Sequence, residues 1–86
     1  MKIEIEEFIS QVKEELLCFE NMEESACQWE EGFRQWLKTP KAKKEIVNVK
    51  GKPCINIKDE EEIFESADSY IEAIECNSVD KYWKEF

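Results

Sequence analysis

Apolar residues three and four positions apart open the chain. From Ile3 to about Phe19, the side chains of Ile5, Phe8, Ile9, Val12, Leu16 and Phe19 share one side of a helical wheel, with Glu4, Glu7 and Glu14 on other faces. The spacing predicts an amphipathic helix. Asn21 followed by Glu24 reads as a capping-box variant, which places a break near Glu20 and Asn21 and a second helix from Met22. Met22, Ala26, Trp29, Phe33, Trp36 and Leu37 form its apolar face, and it stops before Thr39 and Pro40 because proline restricts the residue ahead of it. A short link between two helices predicts an antiparallel pair.

The period then shortens. In EIVNVKGKPCINIK, β-branched residues replace helix formers and predict a hairpin. Setting Val47 and Val49 against Ile57 and Ile55 on one face centres a three-residue loop on Gly51, Lys52 and Pro53, with Asn48 opposite Asn56. Asp59 and Glu62 then make a box-like cap for a helix running to Cys76, whose apolar face is Ile63, Phe64, Ala67, Tyr70, Ile71 and Ile74. Asn77 and Ser78 interrupt it before a short terminal helix, Val79 to Phe86, that docks Tyr82, Trp83 and Phe86 on the core. The fold class expected is α+β: one domain spanning residues 1–86, ordered α-α-β-β-α with a short C-terminal helix, its two-stranded antiparallel hairpin packed on the helices. No internal repeat, low-complexity tract or linker divides it.

Composition supports folding and narrows the partners. With 86 residues the chain is near the lower size at which one apolar core suffices, yet 42% hydrophobic and 12% aromatic content supplies that core despite 38% charge. A net charge of −9 favours basic partners over nucleic acid or anionic membranes. The charge is also unevenly placed: residues 1–37 carry 3 basic and 10 acidic groups, residues 38–58 carry 7 and 1, and residues 59–86 carry 2 and 10. A basic hairpin thus lies between two acidic helical segments. The opening MKIEIEEFIS is too charged for a secretory signal, and no apolar run approaches the roughly 20 residues of a membrane span, so a cytoplasmic protein is expected.

The acids of the fourth segment are periodic. Glu61, Glu65, Asp68, Glu72 and Glu75 fall on one helix face, and no Lys or Arg lies between Asp59 and Val79 to offset their repulsion of roughly 0.2 to 0.5 kcal/mol per neighbouring pair. Such a row is either a solvated face or a surface that meets basic groups on a partner. Its repeat, about every 5 Å at the ~1.5 Å rise of a helix, is close to phosphate spacing and makes mimicry of DNA one form the second reading can take. The lysines of the hairpin lack interleaved aromatics, which favours internal charge balance over phosphate contact.

Cys18, Cys27, Cys54 and Cys76 are the possible metal ligands in a chain without histidine. Cys18 and Cys76 lie opposite the apolar faces, Cys27 lies off its own, and Cys54 lies on the hairpin's outer face. A structural zinc ion bound by four thiolates, or by three and a carboxylate, is an alternative to no cofactor at all, although closely spaced cysteine pairs are missing. Trp29, Phe33, Trp36, Tyr82, Trp83 and Phe86 read first as core, with the C-terminal aromatics as possible anchors for a partner in an accessory-subunit reading. Catalysis is not expected: there is no Cys–His or Ser–His pairing, and Gly51 belongs to no phosphate-cradling loop.

In its carboxylate row Glu61, Glu65, Asp68, Glu72 and Glu75, and in its helix-hairpin-helix order, the chain resembles the small acidic phage-borne inhibitors of host defence nucleases, the anti-CRISPR proteins above all. The resemblance covers style rather than a motif, since those inhibitors share no signature. It implies a stoichiometric inhibitor, active in the host cytoplasm, that binds a Cas effector and keeps nucleic acid from its basic channel. The alternative it leaves open is a zinc-stabilised adaptor or an accessory subunit.

Overall fold

The computed structural model describes residues 1–86. Its elements are β1 (Lys2–Glu4), α1 (Ile5–Leu17), α2 (Glu23–Trp36), α3 (Pro40–Glu45), β2 (Ile46–Val49), β3 (Lys52–Asn56), α4 (Glu61–Glu75) and α5 (Val79–Glu85). The α+β class holds, with five helices beside a three-stranded antiparallel sheet ordered β1-β3-β2.

The third strand is the first correction. Ile3 and Ile5 fit a helical wheel and a strand equally, and β3 decides between them by offering hydrogen bonds: Lys2, Ile3 and Glu4 pair with Asn56, Ile55 and Cys54. The Met1 carbonyl accepts from the Ile57 amide at 2.7 Å, and the Met1 amine donates to the Ile57 carbonyl at 2.6 Å, so the pairing runs one residue beyond the strand.

The hairpin register is the second. Val47 pairs with Cys54 and Val49 with Lys52, and the loop is the two residues Lys50 and Gly51, at φ 53° and 81°. Two positive φ values mark a type I′ turn, whose twist matches that of the strands it joins. A one-residue change of register moves a strand's side chains to the other face. Val47 and Val49 therefore leave the core face and stand 38% and 37% exposed, while Ile46 joins Ile55 and Ile3 in a rung against the helices. Asn48 faces Pro53 rather than Asn56. Proline is tolerated in the central strand because its missing N–H would point toward β1 beyond the last β1 pair, Glu4 with Cys54.

The remaining ends follow local chemistry. Thr39 caps α3, its Oγ1 accepting from the Ala42 amide at 3.3 Å, with Pro40 in the first helical turn; what reads in sequence as a stop is also a start. At the head of α4, Asp59 accepts from the Glu61 amide at 3.0 Å and Glu62 reaches back to the Lys58 amide at 2.7 Å, a box displaced by one residue from the expected form. At its foot, Asn77 takes φ 52°, its amide reaches the Ile74 carbonyl at 3.3 Å and that of Ser78 reaches Ala73 at 2.8 Å, which is a Schellman motif. Asn21 also adopts a positive φ, 61°, but gives α2 no side-chain cap.

One core of 16 residues gathers side chains from both α1–α2 and the sheet–α4 half. Trp29 and Phe33 stack at 5.0 Å, and Phe86 meets the Trp36 ring edge-on at 4.8 Å. Tyr82 and Trp83 pack on this cluster from α5, and Tyr82 bonds to both neighbours: its hydroxyl accepts from Trp29 Nε1 at 3.1 Å and donates to the Ser66 carbonyl at 3.0 Å. Gly32 is required here, because a Cβ on it would overlap the Trp83 indole. Across α1 and α2, Arg34 grips Glu6 with two bonds of 2.9 and 3.0 Å and also meets Glu30, which pairs with Lys13 at 2.6 Å. These pairs hold the carboxyls of Glu6 and Glu30 below the ordinary carboxylate range, chiefly through their hydrogen bonds to Arg34 and Lys13 respectively. No helix is long and apolar enough to cross a membrane.

Candidate functional site

Helix α4 carries the candidate site because its two faces have different surroundings. Ile63, Ala67, Tyr70 and Ala73 are buried, and α1 and α5 flank that face, so the opposite side can only meet solvent or another molecule. Glu61, Glu65, Asp68, Glu72 and Glu75 all stand exposed on it. From the first to the last the row is about 21 Å long at ~1.5 Å per residue. Phe64, expected on the packed side, is 46% exposed at the border of the row, which gives the acidic face an apolar ring.

The pairing pattern matters more than the count of acids. The ion pairs of the molecule use Glu4, Glu6, Glu30 and Glu85 with Lys13, Arg34, Lys52 and Lys81; none of the five carboxylates of the row is among them. Lys38, Lys41, Lys43, Lys44, Lys50 and Lys58 are left equally without an ionic partner. The basic segment therefore does not fold back onto the acidic one. Within the row, Glu61 with Glu65, Glu65 with Asp68, Asp68 with Glu72 and Glu72 with Glu75 are neighbours at helical spacing, and their mutual repulsion totals about 1–2 kcal/mol.

Glu65 also belongs to a groove of about 420 Å³ where α4 meets the sheet and α5. Glu45, Glu62, Glu65 and Glu85 line it beside Ile55, Ile57, Trp36, Tyr82 and Phe86. Carboxylates above aliphatic and aromatic surface suit a lysine or arginine side chain, whose stem is apolar and whose head is cationic. Sequence reasoning missed this groove because Glu45 and Glu85 come from distant parts of the chain.

The four cysteines are dispersed. Cys18 follows α1, Cys27 lies on α2, Cys54 on β3 and Cys76 closes α4; the first two and the last are exposed, and Cys54 is buried. Nowhere do three Cys, Asp or Glu side chains come together in a way that could hold a metal ion. Cys54 does lie on the outer side of the sheet, but it is 5% exposed, flanked in its rung by Glu4 and Val47, with its Sγ 3.6 Å from the Lys52 carbonyl. It therefore packs like an ordinary small apolar side chain. Tyr82, Trp83 and Phe86 are engaged by the core described above, which leaves Phe19 and Phe64 as the aromatics most open to a partner, and of the two only Phe64 lies beside the acidic row. Comparison with protein-family models, characterised proteins and solved structures finds no match to this chain.

Proposed function

We propose that this chain is a stoichiometric, non-catalytic inhibitor that lays the acidic face of α4 against the basic nucleic-acid groove of an effector such as a Cas nuclease and blocks loading of guide or target. The observation that carries the reading is the unneutralised row Glu61, Glu65, Asp68, Glu72 and Glu75 in a molecule whose own basic segment, residues 38–58, holds six unpaired lysines. A face kept only for solubility gains nothing from a row this uniform in sign. A face that competes with phosphate gains ion release and register from it. Phe64 adds apolar contact at the border, and the groove beside Glu65 sets carboxylates over the apolar surface that the stem of a basic side chain needs.

The test is to change Glu65, Asp68 and Glu72 together to Gln and measure binding to a purified Cas effector as salt is raised. Loss of binding by the variant, and a steep fall in wild-type affinity with salt, are the expected results. Equal affinity of variant and wild type would remove the acidic face from the interaction.

A further inference from the structure

Strand β2 presents a second, oppositely charged surface. It packs against β3 and no other element to a comparable extent, and Val47, Asn48 and Val49 are all exposed. The direction of its backbone groups follows from the sheet. Ile57 exchanges hydrogen bonds with Met1, so alternate β3 residues, Ile57 and Ile55, bond toward β1 while Cys54 and Lys52 bond toward β2. Their partners Val47 and Val49 are thereby used, and Ile46 and Asn48 point outward. The Ile46 amide is taken by the Ala42 carbonyl. What remains on the open edge is the Ile46 carbonyl with the amide and carbonyl of Asn48, beside two exposed valines.

Edge strands are ordinarily blunted by a proline, a bulge or a charge within the strand. IVNV has none of these. Its charges lie just outside it and are basic on balance: Lys43, Lys44 and the single acid Glu45 before, Lys50 and Lys52 after, all exposed and only Lys52 paired. That bracket selects the occupant. A second copy pairing antiparallel about Val47 would bring Lys50 of one molecule toward Lys44 of the other, and like charges across a ladder repel.

We infer that β2 is a docking edge for an extended acidic segment of another protein, added to the sheet as a fourth strand with apolar side chains over Val47 and Val49 and carboxylates against the bracketing lysines. The inference stands apart from the acidic face of α4, whose partner is basic.

The experiment uses the full chain, ¹⁵N-labelled, with the peptide acetyl-Glu-Val-Glu-Val-Glu-Val-Glu-amide at millimolar concentration. Amide shifts centred on residues 46–50 are expected, with hydrogen exchange at Asn48 slowed at least tenfold. The same peptide N-methylated at alternate residues keeps its charge but loses its donors, and is expected to bind at least tenfold more weakly. Changing Glu65, Asp68 and Glu72 to Gln should leave this binding intact, which separates its failure from failure of the inhibitor reading. Equal binding of the two peptides would reduce the surface to simple charge attraction and overturn the proposal. So would equal displacement of the peptide by a short single-stranded DNA, or an Asn48 amide already protected in a peptide-free dimer.

Discussion

Tyr82→Phe is the most informative single perturbation, because it removes one oxygen and leaves the ring. The hydroxyl links three elements: Trp29 on α2 donates to it at 3.1 Å, and it donates to the Ser66 carbonyl of α4 at 3.0 Å. Trp29 is fully buried, so its indole N–H has no water to turn to once the oxygen is gone. An orphaned buried donor costs about 1–3 kcal/mol and the second lost bond about 1 kcal/mol, for a loss of roughly 2–4 kcal/mol. Against the roughly 4–13 kcal/mol expected of a chain this size, the melting temperature should fall by roughly 10–30 °C. A second signature lies at alkaline pH. Burial holds the Tyr82 phenol well above the ordinary tyrosine range. Above about pH 10 the unfolded state has released this proton and the folded state has not, so the wild type loses stability as pH rises, by about 1.4 kcal/mol per pH unit from this group. The phenylalanine variant lacks that component and keeps only the weaker one from Tyr70, whose phenol is also raised by burial. Guanidinium unfolding followed by tryptophan fluorescence between pH 7 and the alkaline limb measures both. A stability change below about 0.5 kcal/mol, or an unchanged alkaline slope, would refute the reasoning.

Gly32→Ala gains up to ~1 kcal/mol of helix propensity but drives a Cβ into the Trp83 ring at a cost of about 1–3 kcal/mol, so a net loss of up to about 2 kcal/mol is expected, with a shifted tryptophan emission; a stabilised variant would show that α5 docks elsewhere. Lys50→Asn places a residue that tolerates positive φ at the first turn position and should stabilise the hairpin by about 0.5–1 kcal/mol, read as a raised denaturation midpoint. Thiol titration of the native protein with a chromogenic disulfide should consume Cys18, Cys27 and Cys76 rapidly and Cys54 only on unfolding, with a chelator leaving both the count and the melting temperature unchanged.

Helical periodicity is legible in this chain where apolar spacing has no competitor. Ala26, Trp29, Phe33 and Trp36 repeat every three or four residues and are all buried, and Asn77 ends α4 in the conformation its side chain favours. Short elements are a different matter. Lys2–Glu4 is a strand only because β3 lies alongside it, and nothing in three residues carries that information. Lys50 misleads in the same way: a lysine at positive φ carries no turn signal, so the loop looks to start one residue too late, and β2 turns its valines outward while Ile55 and Ile57 stay on the core side. Phe64 sits at the margin of the α4 apolar arc, where a small rotation of the helix on its neighbours decides between core and solvent. The acidic row is legible for the opposite reason. Five acids at matching phase with no apolar residue among them leave the helix one way to turn, whereas the groove beside them needs Glu45 and Glu85 brought from outside α4.

The handling of charge differs between the two acidic halves, and the difference is what the proposed function rests on. Between α1 and α2 the fold recruits Arg34 and Lys13, the only cations there besides Lys2, to tie Glu6 and Glu30 across the helix pair. The Arg34 pairs are exposed and the Lys13–Glu30 pair is only partly buried, so each contributes about 1 kcal/mol at most, yet the few cations available are used where they join elements. Helix α4 has no such partner, although a lysine at position 65 or 72 would exchange repulsion for attraction with its neighbours three and four residues away. Stability alone therefore favours a mixed row, and solubility would tolerate one. A row held at one sign, at a cost of about 1–2 kcal/mol in a domain of this size, is what a surface needs if the compensating charge arrives on another molecule.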